Sequence, residues 1–218
     1  MTYDEIVTHV IQARFKEGQR EKVQRWVQRR YSLVWVMADW PWRRVGPTAV
    51  AVTASDSTPP MPSDIHRPMA VYNERGELLV AMTAEAFDAR YLTQIVEGTL
   101  GTPEAWKWED GVLTLAPTPQ ASGTFQLTYE RRIAHRSSTD VLTDGVMDAD
   151  TDLPVWSNRS FDYLLVPGAI ATGLKEENDP TWRDLEEESR GIIDEMREFY
   201  LPSLSPFGNV SYGGFDSY

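Results

Sequence analysis

Apolar residues recur at helical spacing at both ends of this 218-residue chain and at strand spacing between them. Ile6, Val7, Val10, Ile11 and Phe15 form one stripe, opened by Thr2 and Glu5 at capping-box spacing and closed by Gly18. A second helix is predicted from about Arg20 to Ala38. Val23, Trp26, Val27, Tyr31, Val34 and Trp35 line one side of it, and Lys22, Arg25, Arg29 and Arg30 another. Trp40-Pro41-Trp42 ends it, because proline disfavours helix in the residue before it.

The middle reads as short strands. Thr48–Thr53 is β-prone, and Ser55–Ser63 is a proline-rich excursion. Arg67–Asn73 and Glu77–Met82 read as a hairpin, Thr83–Val96 as a short helix, and Ala105–Trp108 with Val112–Leu115 as a pair across Glu109-Asp110-Gly111. Thr124–Arg132 alternates, with Phe125, Leu127 and Tyr129 on one face. Helix returns at about Ser160, with a kink expected at Pro167-Gly168. The last helix starts at Asp179-Pro180 and buries Trp182, Leu185, Ile192, Met196 and Phe199.

The pattern therefore predicts an α+β fold. Helices from residues 1–45 and 157–200 form one discontinuous helical bundle. A β-rich insertion over 46–135, an antiparallel sheet or sandwich, interrupts it. An acidic connecting loop covers 136–156, and an extended C-terminal arm covers 201–218.

Charge adds a polarity to this layout. The chain carries a net −12. Residues 1–45 hold nine Lys/Arg against five Asp/Glu, whereas residues 137–218 hold five against seventeen. An acidic chain is ill suited to gripping nucleic acid, since phosphate neutralisation needs clustered cations. The basic first segment and the acidic last one suit each other, within one subunit or between copies. Arg25 and Arg29 on one side, and Glu186 and Glu187 on the other, are the inter-subunit candidates.

The chain has no cysteine, which removes disulfides and thiolate chemistry. No apolar run approaches the ~20 residues of a membrane-spanning helix. The opening Met-Thr-Tyr-Asp-Glu-Ile lacks a basic start and a long apolar stretch, so it does not read as a secretory signal.

Candidate chemistry is sparse. His9, His66 and His135 have no second histidine at ligand spacing. Asp148, Asp150 and Asp152 resemble the start of a calcium loop, but Leu153 and Arg159 stand where that loop needs Gly and Glu. Glu186-Glu187-Glu188 reads as a solvated helix face, because adjacent helical residues diverge. Neither a nucleophile elbow nor a phosphate or dinucleotide loop is present in the sequence. These readings predict no catalytic residue, metal or cofactor. The aromatics Phe207, Tyr212, Phe215 and Tyr218 mark the tail as an arm that orders on a partner. The β insertion leaves a second reading open, a carbohydrate-binding module presenting Trp106, Trp108 and Tyr129.

Five spaced motifs resemble a family of tailed-phage head-to-tail connector proteins, the adaptor or neck proteins. They are Trp40-Pro41-Trp42-Arg43-Arg44; Gly101-Thr102-Pro103-Glu104-Ala105-Trp106; Val112 to Pro119, ending in Pro-Thr-Pro; Phe125 to Arg132; and Leu153-Pro154 followed by Tyr163 to Ala171. Pro167 and the Asp-rich stretch 140–152 depart from the pattern. The resemblance implies a structural virion protein of the neck, made in the host cytoplasm, with no membrane association. It implies a homo-oligomeric ring of twelve between the portal and a downstream neck or tail protein. Double-stranded DNA would pass through without sequence-specific binding. The tail aromatics then become portal-anchor candidates, and Asp148, Asp150 and Asp152 lumen candidates.

Overall fold

The computed structural model of the protein describes residues 1–201 apart from Asp140 and Ser157. Among these residues two helices open the chain, α1 (Tyr3–Arg14) and α2 (Arg20–Val36). Next come β1 (Arg44–Val52), β2 (Ile65–Tyr72), β3 (Val80–Ala81) and the helix α3 (Ala84–Val96). Then follow β4 (Leu100–Gly101), β5 (Ala105–Glu109), β6 (Val112–Ala116), β7 (Thr118–Pro119) and β8 (Gly123–Arg131). The short strands β9 (Ala134–Arg136) and β10 (Leu142–Asp144) precede α4 (Leu165–Glu176) and α5 (Trp182–Tyr200). The fold is α+β, and it divides into two units. One holds residues 1–41, 135–141 and the described residues from 146 on; the other holds 42–134 and 142–145.

In the helical unit, Thr2 and Glu5 form the capping box at the start of α1, satisfying two orphan amides reciprocally. Tyr3, Ile6, Val7 and Val10 of α1, and Val23, Trp26, Val27 and Val34 of α2, are buried. Helix α4 packs against α1, α2 and α5 and is the centre of this unit. Its residues are buried almost all round, as an interior helix requires. It runs antiparallel to α2: Trp26 lies against Gly173, and Arg30, one turn on, lies against Gly168.

Pro167, where a kink is expected, does not lie inside a longer helix begun at Ser160. Residues Arg159–Leu164 form a 3-10 segment, so α4 begins only at Leu165 and Pro167 falls in its first turn. Amides there have no intrahelical acceptor, and a missing N–H costs nothing.

The connecting segment also differs from a free acidic loop. Met147, Val155 and Trp156 are buried. The Val155 amide donates to the Tyr31 hydroxyl at 3.2 Å, Gln28 donates to the Met147 carbonyl at 3.1 Å, and the Tyr31 and Trp156 rings lie 5.6 Å apart. Met147, Val155 and Trp156 thus belong to the helical core, while the turn at 148–151 stays exposed.

Phe199 departs from the buried face expected for α5. It is 58% exposed, whereas Ser189, Ile193 and Met196 form the buried line. Tyr200 turns inward instead and accepts the Asn158 amide at 2.8 Å.

In the β unit, β8 lies between β1 and β2, antiparallel to both. A second sheet has the order β3-β5-β6. The hairpin expected after β2 starts, with Leu79 donating to the Val71 carbonyl, and then parts. Val80 and Ala81 pair in parallel with Ala105 and Trp106, and α3 supplies the crossover that parallel strands need. Strands β5 and β6 turn at Asp110 and Gly111, both at positive φ, as a tight two-residue turn demands. Val52, Val71, Leu113, Leu115, Phe125 and Leu127 form the shared core of the two sheets. Phe87 and Tyr91 of α3 pack on Ala105 and Ala116.

Candidate functional site

The features that bear on function are surfaces of the helical unit, and their charge follows from helical spacing. On α2, Lys22, Arg25, Arg29, Leu33 and Val36 are exposed and recur every three or four residues, so they share one outer stripe. The stripe runs from cationic to apolar, with Leu33 42% and Val36 65% exposed. Among the described residues, Lys22 and Arg25 have no ion pair, and Arg29 has an exposed contact with Glu176 at 3.9 Å.

On α5 the outer face opposes the buried line of Ser189, Ile193 and Met196. Asp184, Glu187, Glu188, Asp194, Glu195 and Glu198 are all exposed on it, with Gly191 midway and Phe199 at its end. Asp194 pairs with Arg197 at 3.2 Å. The other five carboxylates have no ion pair among the described residues. Burying charge is costly and solvating it is not, so this face stands in water in the single subunit.

Glu186, the other α5 candidate, sits apart from this face. Both its oxygens accept from Nη1 of Arg30, at 3.2 and 3.0 Å. Arg30 is only 3% exposed, so it leaves the basic side expected of it and joins the core. Its position was readable: it follows Val23 by seven residues and Trp26 by four, and precedes Val34 by four, which puts it inside the apolar stripe. Its Nη2 donates to Ser189 Oγ at 2.7 Å, and Ser189 donates on to the Leu164 carbonyl at 3.1 Å.

The three lumen candidates also separate. Asp148 and Asp150 are exposed. Asp152 is buried; its Oδ2 accepts the amides of Asp148 and Ala149 at 3.0 and 2.9 Å and lies 3.3 Å from His135 Nε2. Asp152 closes the turn that displays the other two. Among the described residues, no group of three or more His, Cys, Asp or Glu side chains is arranged to hold a metal ion. No helix is long and apolar enough to cross a membrane among them. The arm candidates Phe207, Tyr212, Phe215 and Tyr218 lie outside the described residues.

The β-unit aromatics are not a displayed platform. Trp106 and Tyr129 are 6% and 3% exposed within the core of the two sheets, and Trp108 packs against that core. The Tyr129 hydroxyl donates to Asp64 at 2.8 Å, and burial followed by this bond pushes its pKa up to about 12.

A family model described as SU10 adaptor protein matches residues 1–206, spanning both units. The chain belongs to that family. It is thus a member of the tailed-phage head-to-tail adaptors, a family of structural proteins. A search of curated proteins finds no match. For an SU10-family adaptor, the properties that matter are the faces it offers to neighbours, and α2 and α5 carry the most strongly charged ones described above.

Proposed function

We propose that this adaptor assembles as a ring at the virion neck, joining the portal to the downstream neck or tail protein and continuing the DNA channel. The observation that carries this reading is the family match over nearly the whole chain. Twelve copies is the number the family resemblance implies. The exposed Asp148 and Asp150 are suited to a lumen wall, where carboxylates repel phosphates and let the duplex slide. Asp152 would shape that wall from behind rather than line it.

Arg25, Arg29 and Glu187 are proposed to face neighbouring copies, with Glu186 acting through its hold on Arg30. The aromatic arm, Phe207 to Tyr218, is proposed to anchor on the portal. Negative-stain imaging of the purified chain, alone and with its portal ring, tests the reading. Rings, or decoration of the portal by the chain, are expected. A monomer that ignores portal overturns it. Deleting residues 203–218 should abolish portal binding, and undiminished binding would remove the anchor role.

A further inference from the structure

We propose that a second copy of this chain docks the cationic-to-apolar stripe of its α2 along the acidic outer face of α5, parallel and head to tail. The inference rests on the ring reading above and specifies the surface that closes the ring.

The two faces match in sign, order and length. Along α2, three cations precede Leu33 and Val36; along α5, five carboxylates without an ion pair precede Phe199. Parallel docking sets cations against carboxylates and Val36 beside Phe199. Antiparallel docking would set Leu33 and Val36 on Asp184 and Glu187. At 1.5 Å per residue, Lys22 to Val36 spans about 21 Å and Asp184 to Phe199 about 22 Å.

The same parallel pairing already exists inside one subunit. Arg30 reaches Glu186 and Ser189, and one helical stretch later Arg197 donates to the Met37 carbonyl at 2.7 Å. Docking a neighbour's α2 on the outer side of α5 repeats this arrangement from copy to copy. Because the two patches differ, the contact is heterologous, the kind that closes into rings. Gly191 lies at the middle of the acidic face, where nothing lies within 4 Å of a β-carbon position, so a neighbour's Arg29 has room to cross. Exposed ion pairs contribute little on their own; here they select partner and register, while Leu33, Val36 and Phe199 supply apolar burial.

Two reversal variants and their combination test this on the full chain, assembled on its portal ring and read by mass photometry. Arg25→Glu with Arg29→Glu should abolish the ring, as should Glu188→Lys with Glu195→Lys, each with an unchanged thermal melt. The four substitutions together should restore it. A chain with no cysteine allows a second readout. Val36→Cys with Phe199→Cys should give a cross-linked ladder of dimers and larger species, and neither single variant should. Wild-type assembly by both reversal variants, or a ladder absent from assembled rings, overturns the docking while the ring stands. An α5 reversal that assembles normally points that face at the DNA channel and equally overturns it. A wild-type chain that never assembles, even on portal, defeats the ring reading itself.

Discussion

Arg30 of α2 and Glu186 of α5 form an ion pair whose cation is inside the helical unit, with a side chain only 4% exposed against 22% for its partner. Removing one member strands a charge; removing both does not. Glu186→Ala should therefore cost about 2–4 kcal/mol, whereas Arg30→Met with Glu186→Leu should cost less than the single change. Urea denaturation of the three proteins checks the order. Equal losses would mean that the pair acts through packing alone.

Gly168 exists where it does because Arg30 crosses it. A β-carbon there would lie 2.3 Å from Nε and 2.7–2.8 Å from the neighbouring methylenes of a side chain held at its far end. Gly168→Ala should destabilise by about 1–3 kcal/mol. Gly191→Ala, on the open face of α5, should instead stabilise by about 0.5–1 kcal/mol, the ordinary gain for a helix interior. The two changes are chemically identical, so their opposite signs in chemical denaturation isolate the crossing.

These residues also show where the sequence was legible. The capping box, the helices at both ends of the chain, the Asp110-Gly111 turn and the alternation of β8 follow from local rules, and each appears where those rules place it. What escaped depends on partners distant in sequence. Arg30 reads as a surface cation by its charge, and only its place in the apolar stripe says otherwise. The parallel pairing of Val80 and Ala81 depends on α3 folding back, which periodicity does not encode. The apolar spacing from Ser160 reads as one helix with Pro167 inside it, and it does not distinguish the 3-10 segment that precedes α4. Charge alone names Glu186 and Glu187 of α5 as inter-subunit candidates but does not separate them: Glu186 turns to Arg30, and Glu187 stays on the exposed face.

Asp162 gives the helical unit an acid-side stabilisation. It is fully buried, accepts Trp156 Nε1 at 2.8 Å and pairs with the Met1 amino group. Burial dominates these bonds and raises its pKa above the ordinary carboxylate value. A raised folded-state pKa means that its contribution is complete below the unfolded value and is lost as pH rises through the folded one. Asp162→Asn should thus gain on wild type between about pH 4 and pH 7. Asp179 has the opposite sign: the Thr181 amide and hydroxyl hold its pKa below the ordinary value. Its contribution is present above the unfolded value and lost as pH falls, so Asp179→Asn should lose on wild type over the same rise. Denaturant midpoints for the three proteins at both pH values decide both signs.

Glu130 is to the β unit what Arg30 is to the helical one. It is 3% exposed near the C-terminal end of β8 and pairs with Arg43 and with Arg67 of β2. The two arginines differ in burial, with Arg43 16% and Arg67 65% exposed. The shielded pair should dominate, since solvent screens the other. Glu130→Ala removes the anion from beside Arg43 and should cost about 3–5 kcal/mol. Arg67→Ala leaves the shielded pair intact and should cost under about 1 kcal/mol. Hydrogen exchange in β1, β2 and β8 separates the cases. Glu130→Ala should speed exchange across all three strands, because β8 lies between the other two, whereas Arg67→Ala should confine any change to β2.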